Sequence, residues 1–334
     1  MRILFIGGTG NISASCARLC VVRGMEVFLL NRGRRGVAIE GARTLTGDAK
    51  DPAQLAAAVG TLRFDAVADF IAFTPEDVER DAAFFAGRTR QYLFISSASA
   101  YRKPLSFPVT ESTPLRNPYW DYARNKIACE ERLLALWRER DFPAVIVRPS
   151  LTYATVWPIA IGARDDLTLV ERLRRGGEII VHGEGTSPWT VTHSDDFAKG
   201  FCGLLGNGDA LGHAFHITSD EVLTWDRIYA TLAEAAGVEA RLVHIPSEFL
   251  ADFSERWRGT LLGDKAHGAV FDNAKIRRFV PGFAATIPFH LGARMTLEWF
   301  LADPARRRTT PESDAEMDAA IAAWRRAQAA GRQR

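Results

Sequence analysis

Short apolar runs alternate with helical patterns along the first half of the chain. The runs that predict strands lie at residues 2–6, 26–30, 44–45, 66–70, 92–96 and 144–148. Between them, apolar residues that recur with helical spacing predict helices at 12–23, 52–59, 75–86 and 122–140. Apolar strands that alternate with helices are typical of a parallel sheet covered by helices on both faces. The pattern therefore predicts an α/β fold with a doubly wound parallel sheet.

The pattern changes after Pro149, where longer stretches rich in Gly, Pro and Trp, such as residues 176–189, predict a smaller and less regular lobe. A strand at 214–218 and a helix at 225–236 restore the regular pattern, so we expect the chain to return to the sheet. The expected division is a sheet domain at 1–153, rejoined by 193–222, a C-terminal substrate lobe at 154–192 and 223–302, and a helical tail at 303–334.

The tail has the features of a helix that begins at Pro311. Thr310 is a typical cap, proline is favoured in the first turn, and the carboxylate of Glu312 suits the positive end of the helix dipole. The residues that share its apolar face are Met317, Ala320, Ile321 and Trp324. We expect this helix to dock on the rest of the protein.

Composition and charge narrow the possible partners. The chain has 334 residues, of which 47% are hydrophobic, enough for a substantial core. Its 42 basic and 40 acidic side chains leave a formal charge of +2, too small to favour a nucleic acid or a membrane surface. No apolar stretch approaches the ~20 residues that a membrane-spanning helix needs. The histidines show no metal-ligand spacing, so no metal site is predicted.

The cysteines are Cys16, Cys20, Cys129 and Cys202, and they include no C-x-x-C pair. Nothing that resembles a secretory leader precedes the first strand, so a reducing, cytoplasmic setting is expected. Cys16 and Cys20 lie four positions apart on a predicted helix and can approach each other, although two small core residues are the simpler interpretation.

A glycine-rich turn, residues 7–13 with the sequence GGTGNIS, directly follows the first strand and opens a helix. The start of a helix offers unpaired N–H groups and a partial positive charge, which bind a pyrophosphate when no side chain blocks the backbone. Ser13 stands where a third glycine is usual. This context predicts a Rossmann-type dinucleotide site, and the alternative is a tight turn without a ligand. The residues expected at the site are Gly7, Thr9, Gly10, Asn11 and Ile12.

The end of the second strand bears on which dinucleotide binds. NAD-binding proteins usually place an acid here to hold the ribose hydroxyls, but the chain has Asn31 and Arg32. Asn31 can bind a hydroxyl, whereas Arg32, helped by Arg34 or Arg35, can pair with the 2′-phosphate of NADP. We therefore expect NAD(P) with a slight preference for NADP, and a solvated loop is the alternative. Asp48, after the third strand, is a candidate contact for adenine.

Tyr122 and Lys126 stand four positions apart and so share one face of a predicted helix. A phenol is a poor base at neutral pH because its pKa is about 10, and a nearby cation lowers that pKa. We expect Lys126 to act in this way and to hold the nicotinamide ribose, while Tyr122 exchanges a proton with a substrate hydroxyl.

A serine-rich stretch that includes Ser96, Ser97 and Ser99 follows the strand YLFI. The carboxyl ends of parallel strands are where open α/β folds bind their ligands. A serine in this position can hydrogen-bond the reacting oxygen.

These motifs together resemble the extended short-chain dehydrogenase/reductases, also described as the NAD-dependent epimerase/dehydratase family. The resemblance rests on GGTGNIS, SSASAY and YARNK, and continues through RPSLTY at 148–153, HSDDFAKG at 193–200 and FHITSDEVLTW at 215–225. It implies that Ser97 donates to the substrate oxygen, Tyr122 is the acid/base and Lys126 is its cation. It also implies a sugar-containing substrate and suggests a homodimer.

Three departures from the family pattern limit what the resemblance implies. Ala98 and Ser99 stand where dehydratases carry an Asp-Glu pair, Trp189 stands in the block where the family often carries a pyrophosphate-binding arginine, and Leu261 or Thr260 replaces a further family arginine. The loss of two such arginines argues against a standard sugar nucleotide and leaves room for a nucleoside or another phosphate-poor sugar. The candidate substrate contacts are Ser99, Trp157 and Trp189, with packing inside the lobe as the alternative for both indoles.

His193, Asp195 and Asp196 invite a metal or triad interpretation, which we reject because no serine or cysteine lies in a matching nucleophile motif. The resemblance implies a structural role for this block.

The expected function is NAD(P)-dependent chemistry on a secondary alcohol of a sugar-containing substrate, through a keto intermediate, in an epimerase, a dehydratase or a reductase. An NADPH-dependent ketoreductase of a sugar or natural-product intermediate is one alternative. A non-catalytic dinucleotide sensor is another, and so is an RNA-binding member of the fold, resembling chloroplast stem-loop RNA-binding proteins.

Overall fold

Strands and helices alternate along the first half of the chain, as the apolar pattern predicts. A computed structural model describes residues 1–33 and 38–332. The elements of the first half are β1 (Arg2–Ile6), α1 (Asn11–Val22), β2 (Glu26–Asn31), β3 (Arg43–Thr46), α2 (Pro52–Val59), β4 (Ala66–Asp69), α3 (Pro75–Phe85), β5 (Tyr92–Ile95), α4 (Asp121–Arg140) and β6 (Ala144–Pro149). Each predicted strand and helix of this half is present.

Shorter elements follow in the second half. They are β7 (Leu151–Tyr153), α5 (Thr168–Arg174), β8 (Glu178–His182), β9 (Pro188–Trp189), β10 (Val191–His193), α6 (Ser194–Leu204), β11 (Ala214–Ile217), β12 (Leu223–Thr224), α7 (Trp225–Ala236), β13 (Arg241–Ile245), α8 (Ser247–Phe253), α9 (Glu255–Thr260), α10 (Ala274–Phe279), α11 (Phe289–Leu301) and α12 (Pro311–Arg332). A single π-helical turn, Leu261–Lys265, joins α9 to the segment that follows it.

The central sheet has seven strands in the order β3-β2-β1-β4-β5-β6-β11. Every neighbouring pair is parallel. The α/β, doubly wound fold predicted from the sequence is thereby confirmed. Because the chain runs outward from β1 through β2 and then resumes on the other side at β4, a crevice opens between the carboxyl ends of β1 and β4, the position at which such sheets bind ligands.

Alternate residues of β1 face the two sides of the sheet. Ile3 and Phe5 pack in a cluster with residues of α1 and α6, whereas Leu4 and Ile6 pack in a second cluster with residues of α2, α3 and α4. All four side chains are fully buried. Both faces of the sheet are therefore covered, and only its edges and strand ends remain for ligand binding.

The lobe is more regular than the sequence analysis expects. The segment 176–189, predicted to be irregular, contains β8, and β8 pairs in parallel with β13 from 241–245. The run EIIVH that forms β8 is buried along four of its five positions. A pairing across some sixty residues cannot be inferred from local turn residues, and for that reason the strand was missed.

The predicted tail helix begins at Pro311 and lies against the lobe. Met317, Ala320 and Ile321 are buried there in one cluster with Ile161 and Ile180. Within residues 1–33 and 38–332, no helix combines the length and the apolar composition that a bilayer crossing requires.

Candidate active site

The glycine-rich turn between β1 and α1 is shaped by close packing and by one serine. Gly7 has φ +80°, and a Cβ there would lie 2.5 Å from Cγ2 of Ile71. Ser13 Oγ accepts from the N–H of Gly10 at 2.8 Å and donates to the carbonyl of Gly7 at 2.8 Å. The residue that replaces the usual third glycine thus closes the turn by hydrogen bonds.

The first turn of α1 keeps free donors. Among the described residues, no acceptor is hydrogen-bonded to the N–H groups of Asn11 and Ile12. The side chain of Asn11 does not cover them, because its Oδ1 accepts from the N–H of Thr155 at 2.9 Å and from its hydroxyl at 3.2 Å. The helix start is therefore open to an anion, and Asn11 links it to the segment after β7.

Asn31, Arg32 and Asp48 lie together at the ends of β2 and β3. Asn31 Oδ1 accepts from the N–H of Gly33 at 3.1 Å. A guanidinium nitrogen of Arg32 lies 4.0 Å from a carboxylate oxygen of Asp48, and the Arg32 side chain is 57% exposed. The predicted helpers Arg34 and Arg35 lie outside the described residues.

A cavity of about 700 Å³ runs along the crevice of the sheet. Its lining includes the glycine-rich turn, Asn31 at the end of β2, and Tyr122 and Lys126 on α4. All the predicted cofactor-binding residues line it, and they are Gly7, Thr9, Gly10, Asn11, Ile12, Asn31, Arg32, Asp48 and Lys126.

A second cavity of about 300 Å³ adjoins the first. Ser97, Ser99 and Asp264 are among its lining residues. The residues that line both cavities are Tyr122, Pro149, Thr152 and Arg164. Tyr122 therefore stands where the elongated crevice meets the smaller chamber.

Ser97 and Ser99 form a fixed pair beside Tyr122. The backbone turns after β5, and Ser97 Oγ accepts from the N–H of Ser99 at 3.1 Å while the two hydroxyl oxygens lie 2.8 Å apart. Asn117 donates to the Ser99 carbonyl at 2.8 Å and to the carbonyl of Gly263, which fastens this turn to the π-helical segment.

Tyr122 is held in its protonated form. Burial raises the pKa of Tyr122, hydrogen bonding from the Ser97 hydroxyl works to lower it, and the charge of Asp264 adds to the rise. Lys126 is not among the groups that shift this pKa, so its expected effect on the Tyr122 phenol stays a prediction. The Lys126 ammonium lies 5.9 Å from the centre of the Tyr122 ring, and two of its three donors bind backbone carbonyls.

Lys126 is fixed by two carbonyl groups at the carboxyl ends of the sheet. Its Nζ donates to Ala72 and to Ile95, each at 2.7 Å. Burial lowers the pKa of Lys126 to about 8, and the charge of Asp69 works against that fall. Asp69 also accepts from the N–H of Ala72 at 2.9 Å, so it helps to place one of the carbonyls that hold the lysine.

The two tryptophans proposed as substrate contacts lie elsewhere. Trp157 and Trp189 are each 1% exposed and line neither cavity. Trp157 stacks on Phe300 with ring centres 5.3 Å apart, and Trp189 packs against Trp225 at 5.1 Å. The expectation of substrate stacking is corrected to lobe packing, because an aromatic residue fills a core as readily as it binds a sugar. Ser99, the third candidate, does line the smaller cavity.

The block around His193 ties α6 to a distant segment. His193 Nδ1 accepts from the N–H of Asp195 at 3.2 Å, and the carboxylate of Asp196 accepts from the N–H groups of Thr286 and Ile287 at 3.0 and 2.8 Å. Within the described part of the chain, no group of three His, Cys, Asp or Glu is placed to hold a metal ion.

Sequence reasoning missed three charged residues of the smaller cavity. Arg164 lies in a loop between β7 and α5, and Asp264 and Lys265 lie in the π-helical turn. None of them belongs to a motif from which a site can be inferred, since the packing of the lobe alone brings them to Tyr122.

The chain is similar in sequence to known proteins. The family model described as the NAD dependent epimerase/dehydratase family matches residues 3–218. A 2′-dehydrokanamycin reductase from Streptomyces kanamyceticus is 26% identical over 285 residues, which cover 85% of this chain and 80% of that protein. The chloroplast stem-loop binding protein of 41 kDa b from Arabidopsis thaliana is 27% identical over 271 residues, 76% of this chain and 68% of that protein.

The fold is also similar to solved structures. A UDP-glucose 4-epimerase from Thermus thermophilus, solved as a complex with NAD, superimposes with a TM-score of 0.70 at 20% identity. The match covers 89% of this chain and 98% of that one.

Proposed function

Because the chain belongs to the NAD-dependent epimerase/dehydratase family of enzymes, we propose that it reduces a ketone on a small sugar-containing substrate with a nicotinamide dinucleotide. The observation that carries this proposal is the place of Tyr122, which lines both the crevice and the smaller cavity. A protonated phenol in that position can donate its proton to a carbonyl oxygen as a ketone is reduced.

The residues of the crevice fit a dinucleotide. The open N–H groups of Asn11 and Ile12 suit its pyrophosphate, and the tight approach at Gly7 leaves the backbone uncovered. When bound, the nicotinamide supplies the hydride. We propose NADP, since no acid ends β2 and Arg32 lines the cavity just after that strand.

The roles of the protein groups follow from their positions. The Ser97 hydroxyl holds the substrate oxygen, and Tyr122 donates its proton to that oxygen as the ketone is reduced. The positive charge of Lys126 stabilises the phenolate that remains on Tyr122. The carbonyls of Ala72 and Ile95 keep the ammonium group in place throughout.

A net reduction fits the cavity better than loss of water does. Elimination requires a carboxylic acid that protonates the leaving hydroxyl, and Ala98 and Ser99 stand where the family's dehydratases carry their acid pair. Among the described residues that line the smaller cavity, the one acidic residue is Asp264. Burial works to raise the pKa of Asp264, but Lys265 and Lys103 hold it below its ordinary value. It is therefore ionised and is a poor acid.

The size of the chamber also favours a small substrate. About 300 Å³ lies at the lower end of the range for ligand cavities and suits a single sugar ring better than a sugar nucleotide. The similarity to 2′-dehydrokanamycin reductase supports a reductase in the same way. The similarity to the stem-loop binding protein does not lead us to propose RNA binding, because the formal charge of +2 gives little electrostatic drive toward a polyanion.

The test is turnover with NADPH or NADH against ketone derivatives of simple glycosides and nucleosides, with product masses read by mass spectrometry. We expect a gain of two hydrogens in the product and a loss of at least ~100-fold in Tyr122→Phe, with cofactor affinity kept. The matched control is Tyr119→Phe, since Tyr119 is 49% exposed and lines neither cavity. If the corresponding alcohols, incubated with NAD or NADP, keep their mass and change their stereochemistry, the protein is an epimerase, and full activity of Tyr122→Phe would remove the assignment.

A further inference from the structure

Arg164 is anchored by one end of its guanidinium. Its Nε donates to the carbonyl of Trp157 at 2.8 Å, and the N–H of Trp157 donates back to the carbonyl of Arg164 at 2.7 Å. Trp157 is itself fixed, since its indole N–H donates to the carbonyl of Asp166 at 2.8 Å. The loop 157–164 is thus closed on itself and presents the arginine at the wall shared by both cavities.

The other nitrogens of Arg164 have no protein partner within the described residues. No carboxylate there lies within 4.0 Å of its guanidinium, and no acceptor is bonded to either terminal nitrogen. Burial lowers the pKa of Arg164, and the charge of Asp165 only partly opposes that effect. Asp165 instead pairs with Arg308 at 2.9 Å. A partly desolvated guanidinium without a counter-ion favours an anionic ligand.

The π-helical turn that lines the chamber adds positive charge. Asp264 lies between two buried lysines, with Lys103 Nζ at 3.1 Å and Lys265 Nζ in hydrogen-bond contact. Two lysines already share this one carboxylate, and Asp264 forms no ion pair with Arg164. With Arg164 included, cations outnumber carboxylates around a chamber that also holds the hydroxyls of Ser97 and Ser99.

We propose that Arg164 binds a carboxylate of the substrate, and that the substrate is a sugar acid whose reacting ketone faces Tyr122. The inference rests on the proposed function for the identity of the reacting group. The free edge of a guanidinium, with its Nε already occupied, presents planar N–H donors that match the two oxygens of a carboxylate. A single free arginine suits a monoanion, whereas phosphate sites usually gather more donors.

The test measures binding, so that it does not depend on turnover. Isothermal titration of the full chain, saturated with NADP, uses D-glucuronate, its neutral methyl ester and glucose phosphate as probes. We expect glucuronate to bind at least ~10-fold more tightly than the ester, because a charge-assisted hydrogen-bond pair is lost with the charge. Equal affinity for acid and ester would overturn the proposal, and so would tighter binding of the phosphate.

Variants of Arg164 test whether this residue binds the carboxylate of glucuronate. Arg164→Gln should weaken glucuronate binding by ~10- to 100-fold and leave the ester and NADP unchanged. Arg164→Lys keeps the charge but loses the planar fork, so it should weaken binding less, and it carries the test if the glutamine variant does not fold. Arg90→Gln is the matched control, because the Arg90 side chain is 86% exposed and lies outside both cavities.

Two results separate this inference from the proposed function. Reduction of neutral ketosugars that depends on Tyr122 but is indifferent to Arg164 would keep the function and overturn the carboxylate site. Glucuronate binding that depends on Arg164 in a protein without reductase activity would support the site and remove the function. If Arg164→Gln weakens NADP and spares glucuronate, the arginine serves the cofactor and the inference is wrong.

Discussion

At the scale of single residues, Lys126 makes the proposed chemistry sensitive to pH. Burial lowers the pKa of Lys126 to about 8, so the ammonium is present below that pH and is lost as pH rises through it. The phenolate left after proton donation by Tyr122 loses its stabilising charge at the same point. We therefore expect kcat/KM for ketone reduction, which reports groups of the free enzyme, to fall above pH about 8.

Lys126→Arg tests whether this lysine sets the fall. Arginine remains protonated across the range, so the decline in kcat/KM should move to higher pH even where the maximum rate is lower. Lys199→Arg, in α6 and paired with Asp196, should leave the profile unchanged, since Lys199 lines neither cavity. A decline at the same pH in the Lys126 variant would assign it to another group.

Part of this candidate site could be predicted from the spacing of residues in the sequence. The spacing of Tyr122 and Lys126 and the turn at residues 7–13 bring these groups to one crevice, because local helix geometry and strand order determine where they lie. Arg164 could not be predicted as a site residue, since its position depends on the burial of Trp157, whose carbonyl binds it. The same burial explains why Trp157 was misjudged: a sequence shows that a residue is aromatic but not which surface covers it.

At the scale of elements, α6 shows how close packing can override helix propensity. Gly203 lies near the end of α6. In a helix, alanine is ordinarily more favourable than glycine by about 1 kcal/mol. A Cβ at this position would overlap the side chain of Val280, which follows α10. We expect Gly203→Ala to lower the free energy of unfolding by about 1–3 kcal/mol, measured by urea denaturation.

A second substitution identifies the cause. In Gly203→Ala/Val280→Ala the overlap is relieved, so the double variant should be more stable than the two single effects added together. Gly331→Ala in α12 is the control, because its Cβ would meet nothing within 4 Å and the change should cost no stability. Simple additivity of the two effects would show that Val280 is not the obstacle.

The elements of the sheet were predictable and those of the lobe were not, for a physical reason. Strands such as β1 and β4 are bounded by turns and buried on both faces, so that the sequence alone marks them. In contrast, β8 depends on β13, and their register is set by residues sixty positions apart. The π-helical turn that carries Asp264 has no local signature at all.

At the scale of the whole molecule, the C-terminal segment supports the loop of Arg164. The carbonyl of Arg308 accepts from the N–H of Leu167 at 2.9 Å, and the Thr310 hydroxyl donates to the buried carboxylate of Asp166 at 2.6 Å. The carbonyl of Asp166 accepts from the Trp157 indole at 2.8 Å, and Trp157 in turn holds Arg164. A chain of contacts therefore runs from the start of α12 to the smaller cavity.

This connection predicts an effect of Thr310→Val on ligand binding at a distance. Without the hydroxyl, the buried Asp166 loses a donor, which should reduce the free energy of unfolding by about 1–3 kcal/mol. Because Asp166 positions Trp157, the arginine loop should loosen as well. We expect glucuronate affinity to fall several-fold while NADP affinity holds, as read by the same titrations.

The control is the same change, from threonine to valine, at a position far from the arginine loop in sequence. Thr110→Val removes a hydroxyl that is bonded at 2.8 Å to Ser112 on an exposed turn, so both stability and binding should remain near the wild-type values. If Thr310→Val lowers stability but leaves glucuronate affinity intact, the loop is held by its own hydrogen bonds between Trp157 and Arg164. In that case α12 covers the lobe without tuning the site.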